Sequence, residues 1–329
     1  MTAGWECEEG FAGRRSGVNV AVVFPGQGSQ AIGMGVELAA RWPSVASRFR
    51  EASAVLGYDL LELCRTGPED RLADTRVAQP ALFTVGFATW EVLKSGGLAP
   101  ALMAGHSLGE YTACAAAGAI SFADGLNAVK TRCEAMGEAA VRNPGGMSAI
   151  IGGDADAWVA KAAGKGRIVV ANRNTADQAV VSGEILALED VESAAKAAGA
   201  RAIRLKVSGA FHSPLMQSAA DKMRIALGGV GFSDPNPPVI GNVTALILKS
   251  ADQVKEELSA QLMSQVRWEA CVRAIAGNGV SAVVECGPGR VLSGMIRKID
   301  GSLAIHGAGS VKDVEETLAG ILGKSGGAV

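Results

Sequence analysis

The feature that most constrains this chain is Gly105-His106-Ser107-Leu108-Gly109-Glu110, the pattern Gly-x-Ser-x-Gly set between a short apolar run and a helix of small residues. Residues Ala101 to Ala104 follow Pro100 and read as a brief buried strand, while Tyr111 to Ala117 read as a helix stopped by Gly118. A strand that turns directly into a helix at Ser107 must bend sharply, and glycines on both sides let neighbouring backbone come close. The hydroxyl is then held exposed at the turn. The pattern alone matches many chains by chance, and it is the flanking strand and helix that favour a nucleophile.

A serine hydroxyl needs a base in hydrogen-bond reach and donors for the oxyanion formed on attack. The chain has three histidines, His106, His212 and His306. His106 adjoins Ser107, and consecutive side chains diverge on such a turn, so it reads as packing around the elbow. His306 ends the apolar run Leu303-Ala304-Ile305 and reads as an ordinary strand-end residue. His212 lies in Val207-Ser208-Gly209-Ala210-Phe211-His212-Ser213-Pro214, a break between a strand-like run and a helix, where catalytic groups are usually presented. It is the candidate base. No spacing selects a third carboxylate among 33 acidic residues, and a main-chain carbonyl can orient the ring instead. The amide of Leu108, at the new helix's N-terminus, is one candidate oxyanion donor, and a second must come from another loop.

Val18 to Phe24 form the first strand candidate, running into Pro25-Gly26-Gln27-Gly28-Ser29-Gln30. This loop also fits Gly26-x-Gly28-x-x-Ala31, a dinucleotide fingerprint with Glu51 as ribose partner, and that defines a nicotinamide-binding alternative. The same glycines serve any loop whose amides must approach a ligand. Pro43 to Leu56 and Pro80 to Leu93 show helical periodicity, each with a proline expected in the first turn. Ser121 to Asp124 resembles a capping box, opening a helix on which Arg132 borders the apolar stripe. Such an arginine reads as a snorkelling surface residue unless a carboxylated substrate lies nearby.

Between 146 and 207 the pattern is β-α-β-β-α-β, the ferredoxin-like order. The expected organisation is a disordered tail over 1–17, a large α/β body over 18–145 and 208–329, and an inserted ferredoxin-like subdomain over 146–207. Strand candidates at Val239-Ile240, Val280 to Val284 and Leu303 to Ile305 alternate with helices, so the body is a hydrolase-like, mainly parallel sheet whose crevice lies at the strands' C-terminal ends.

Composition removes other classes. The 31 basic and 33 acidic residues are dispersed and aromatics are 5%, which disfavours nucleic acid. No apolar run reaches the ~18 residues of a membrane span. Cysteines at 7, 64, 114, 133, 271 and 286 never fall two residues apart, which supports no metal or redox motif and fits reduced thiols in a cytoplasm.

Taken together, Phe24-Pro25-Gly26-Gln27-Gly28-Ser29-Gln30, Gly105-His106-Ser107-Leu108-Gly109-Glu110-Tyr111, Arg132, Gly209-Ala210-Phe211-His212-Ser213 and Glu285-Cys286-Gly287-Pro288-Gly289 resemble the malonyl-CoA:acyl carrier protein transacylases, from about Val20 to Ile305. The resemblance implies Ser107 as nucleophile, His212 as base, the amides of Gln27 and Leu108 as oxyanion hole and Arg132 as the grip on the malonyl carboxylate. It implies Asn172 as a cleft-lining residue and a main-chain carbonyl near Val266-Arg267-Trp268 as orienter of the histidine, with Arg267 where many relatives carry glutamine. Ala210-Phe211 would select malonyl over methylmalonyl by crowding the α-carbon. Malonyl-CoA and acyl carrier protein are the implied partners, fatty acid biosynthesis the pathway, and no cofactor is needed. The alternatives are a serine thioesterase or esterase on a similar fold, the nicotinamide enzyme and a silent binding module.

Overall fold

The computed structural model describes residues 18–323; the tail expected over 1–17 lies outside them. Among the described residues ten strands form two sheets: β1 Val20–Phe24, β2 Leu102–Gly105, β3 Gly146–Ile151, β4 Ile168–Thr175, β5 Gln178–Gly183, β6 Arg201–Arg204, β7 Val239–Ile240, β8 Ile247–Leu248, β9 Ala282–Glu285 and β10 Ala304–Gly307. The larger sheet has the order β10-β9-β1-β2-β7-β8, parallel except for β8.

Strand β1 is apolar at every position because both faces of its sheet are covered. Val20, Val22 and Phe24 enter one core with the helices Thr75–Ser95 and Leu108–Ala116, whereas Ala21 and Val23 enter another with Trp268, Val272 and Ile296. The register sets Phe24 beside Gly105 and Val23 beside Glu285, so three strands end level with one another. Their following loops meet there: a Cβ on Gly287 would lie 2.9 Å from the Pro25 ring.

The second sheet, order β4-β5-β3-β6, is antiparallel and carries the helices Ala155–Ala162 and Ile185–Ala197. That is the strand order of a ferredoxin-like unit. Strand β4 joins the larger body by a short parallel bridge, in which Val266 N donates to Ala171 O and Arg173 N to Val266 O.

One helix departs from expectation. Pro80 is not in a first turn but inside the helix Thr75–Ser95. Asp74 caps that helix by accepting from Arg76 N at 2.8 Å, so the start is set five residues earlier. The carbonyl of Arg76, which Pro80 cannot reach, takes the Cys133 thiol instead at 3.8 Å.

Candidate active site

Ser107 stands between β2 and the helix Leu108–Ala116 with φ 51 and ψ −103. An L-residue is rarely found there, and the surroundings hold it. A Cβ on Gly105 would lie 1.9 Å from the Gly109 backbone, and one on Gly109 would lie 2.0 Å from Phe24 O. Both glycines are therefore required for strand, turn and helix to pack this closely.

His212 also has a positive φ, 55, and is 4% exposed. Its Nε2 is 2.7 Å from Ser107 Oγ. Its Nδ1 is 3.1 Å from both Gln261 O and Ser264 O. Carbonyls only accept, so Nδ1 carries the proton and Nε2 presents its lone pair to the serine hydroxyl. The orienting carbonyls thus come from the turn Gln261–Met263 and the residue after it, not from the Val266-Arg267-Trp268 stretch. Arg267 instead donates its side chain to Thr244 O at 3.2 Å. Burial, and then the positive charge of Arg132, push His212 down to about 3, so the ring is neutral near pH 7.

Arg132 is 1% exposed, which corrects the reading of a snorkelling surface residue. The stripe of the helix Phe122–Arg142 gives the face that packs, but the helices Thr75–Ser95 and Gln217–Gly228 cover its borders too. The guanidinium donates to Gln79 Oε1 at 2.6 Å, Gln261 Oε1 at 3.0 Å and Ser107 Oγ at 3.1 Å, and lies 5.5 Å from the Tyr111 ring centroid. Its Nε has no hydrogen-bond partner among the described residues. Nor does any carboxylate there lie within ion-pair distance of it. A buried cation without an ion pair among the described residues, beside a serine hydroxyl, is suited to an anionic ligand.

Gln27 sits where its loop meets the elbow, since a Cβ on the preceding Gly26 would lie 2.5 Å from His106 O. Its side chain donates to Thr75 Oγ1 at 3.0 Å and accepts from Gln79 Nε2 at 3.4 Å, which links the loop to the partner of Arg132. The Leu108 amide, at the first helical position, has no intrahelical carbonyl to donate to.

Asn172 lies mid-strand in β4, 3.5 Å from His106 Nε2 through Nδ2, with its buried Oδ1 unpartnered among the described residues. His106 itself is held by Asn174 Oδ1 at 2.9 Å and edge-on by Trp268, so it braces the elbow from behind.

Sequence reasoning missed three amides that organise this centre, Gln79, Asn242 and Gln261. Gln79, a polar residue inside an apolar helical run, left a faint signal. The other two left none. A groove of about 630 Å³ runs along the outer face of the helix that carries Arg132, between Asp74–Arg76 and Lys206–Ser208.

The acyl transferase domain family matches residues 21–318 of this chain. The malonyl CoA-acyl carrier protein transacylase of Salmonella typhimurium is 47% identical over 285 residues, 85% of this chain and 92% of its own. The solved malonyl CoA-acyl carrier protein transacylase of Coxiella burnetii superposes with a TM-score of 0.89 at 36% identity, covering 93% of this chain and 98% of its own. A malonyl-transacylase solved in complex with its type II polyketide acyl-carrier protein superposes with a TM-score of 0.88 at 40% identity, covering 93% and 100%.

Proposed function

Since this chain belongs to the malonyl-CoA:acyl carrier protein transacylase family, we propose that Ser107 carries the malonyl group in transit and that His212 moves the protons. The enzyme transfers malonyl from malonyl-CoA to acyl carrier protein. One observation carries the assignment of residues: a buried guanidinium with no carboxylate partner among the described residues stands 3.1 Å from a hydroxyl that is itself 2.7 Å from a neutral imidazole.

The free carboxylate of malonyl binds Arg132 through Nε, which has no partner among the described residues, and takes its second bond from Nη2 in place of the one now given to Ser107 Oγ. As Ser107 Oγ attacks the thioester carbonyl, His212 Nε2 takes its proton. The tetrahedral oxyanion rests on the amides of Gln27 and Leu108. Its collapse breaks the carbon–sulfur bond, and the coenzyme A thiolate takes the proton from His212. The phosphopantetheine thiol of the carrier protein then gives its proton to His212 and attacks the malonyl ester, and Ser107 recovers the proton as it leaves. The Asn172 Oδ1, without a donor among the described residues, lines the substrate's path.

Every step is an acyl shift coupled to a proton transfer, so the reaction calls for no cofactor. Among the described residues no helix is long and apolar enough to cross a membrane, and the reading is of a cytoplasmic enzyme supplying fatty acid biosynthesis. A thioesterase would have no use for Arg132. Incubation with malonyl-CoA alone should add one malonyl group to the enzyme in mass spectrometry and none to Ser107→Ala. Steady coenzyme A release without carrier protein would instead indicate hydrolysis and sink the transfer mechanism.

A further inference from the structure

Below the elbow lies a polar layer that the mechanism above does not use. Asn242, fully buried, follows β7 and reaches across to β2. Its Oδ1 accepts from the amide of Ser107 at 2.7 Å, and its Nδ2 donates to Gly105 O at 2.7 Å. One planar amide therefore spans the peptides on both sides of His106. Its own backbone is fixed in turn, because Asn242 N donates to Glu110 Oε1 at 3.0 Å and Arg267 N donates to Asn242 O at 2.9 Å. Glu110 also accepts from Gln261 Nε2, whose other bond goes to Ser107 O at 2.9 Å. Glu257 holds the neighbouring Val243 N and Thr244 Oγ1, and only a glycine at 241 leaves room for its carboxylate.

We propose that Asn242 is a positioning residue for acyl transfer, which holds Ser107 in its strained positive-φ conformation and thereby fixes the hydroxyl at its distance from His212. Ser107 at φ 51 costs free energy that ordinary helix or strand contacts do not return. The two bonds from Asn242 are made 135 and 137 residues away in sequence and lie at the strained turn. Asparagine suits the place because it offers one acceptor and one donor in a fixed plane, and the turn exposes one amide and one carbonyl. The inference rests on Ser107 as nucleophile.

Asn242→Asp gives the decisive test. A protonated aspartic acid has the same acceptor and donor as asparagine, whereas the ionised form has no donor for Gly105 O. The charged and titratable groups around the position are Glu110 from the elbow helix, Glu257 from the helix Ala251–Ala260, and Arg267 and Cys271 at the start of the helix Trp268–Gly277. Two nearby carboxyls oppose ionisation at 242. The activity of Asn242→Asp relative to the parent enzyme should therefore be highest at the acid end and fall at least about ten-fold by pH 8.5. Asn242→Ala should lose about 10²-fold in kcat, the usual cost of a misplaced reacting group. Its KM for malonyl-CoA should stay within about three-fold, and hydrogen exchange at the Ser107 amide should rise.

A pH-independent ratio for Asn242→Asp, or a folded Asn242→Ala with kcat within about three-fold of the parent, would overturn the proposal. Should Asn242→Ala fail to fold, the aspartate ratio still decides. Ser107→Ala is assayed alongside, and retained turnover there would reject the nucleophile and this inference with it.

Discussion

The Nη2 of Arg132 lies 3.1 Å from Ser107 Oγ, and the same atom lies 3.0 Å from Gln261 Oε1. Gln261 also supplies a carbonyl to His212 and a donor to Ser107 O. The guanidinium and the Ser107 peptide are thus positioned by one shared side chain, so on the proposed mechanism the acid end of a substrate and its reacting carbon are measured from a common origin.

Replacing Arg132 by alanine should lower kcat/KM for malonyl-CoA about ten- to hundred-fold, which corresponds to the ~1.5–3 kcal/mol of a hydrogen bond to a charged group. Acetyl-CoA, without the carboxylate, should lose far less. Competition between the two donors reads this directly, and an unchanged preference would refute the assigned role. Arg132→Lys should restore little, because an ammonium cannot form the fork.

His212 is depressed from 6.5 to about 3 by burial and by Arg132, so it remains a neutral base as pH falls through 6.5. The acid limb of kcat/KM should lie well below 6.5, and an imidazole NMR titration should find the same. A limb at 6.5 would contradict it. The unfolded chain takes this proton near 6.5 and the folded one resists it, so the group's contribution to stability is present above 6.5 and is lost as pH falls toward 3. Arg132→Ala removes a cation and should move the limb upward.

At the elbow, Gly109→Ala should cost about 3 kcal/mol or more in a denaturant melt, since the new methyl meets the Phe24 carbonyl at 2.0 Å and backbone cannot give way. By contrast, a Cβ on Gly137, in the middle of the helix Phe122–Arg142, meets nothing within 4 Å. Gly137→Ala should stabilise by about 0.5–1 kcal/mol. Equal effects at the two glycines would mean that the close approach is not what the elbow requires.

Asn172→Ala should raise KM for malonyl-CoA by about two- to twelve-fold, the range of one net hydrogen bond at ~0.5–1.5 kcal/mol, with kcat within about two-fold. A fall in kcat alone would move Asn172 out of the substrate's path and into support of His106, its neighbour at 3.5 Å.

The sequence by itself singled out the candidate reactive groups. Ser107 was legible because its glycines, strand and helix are contiguous, and His212 because only three histidines compete for the role. The apolar run of β1 and the β-α-β-β-α-β order were legible for the same reason, since each pattern is contiguous in the chain. The helix start at Thr75 was less so, because Asp74 as cap and the thiol that takes the carbonyl beyond Pro80's reach outweigh the preference of proline for a first turn. Only the tertiary structure decided that Arg132 is buried, that Gln261 and Ser264 hold the histidine, and that Asn242 clamps the elbow. Amide side chains carry no periodic signature, and a helical stripe says which face packs but not what covers its edge. The convergence comes from a parallel register that ends β1, β2 and β9 at one level and from hydrogen bonds spanning more than a hundred residues, which no local spacing encodes.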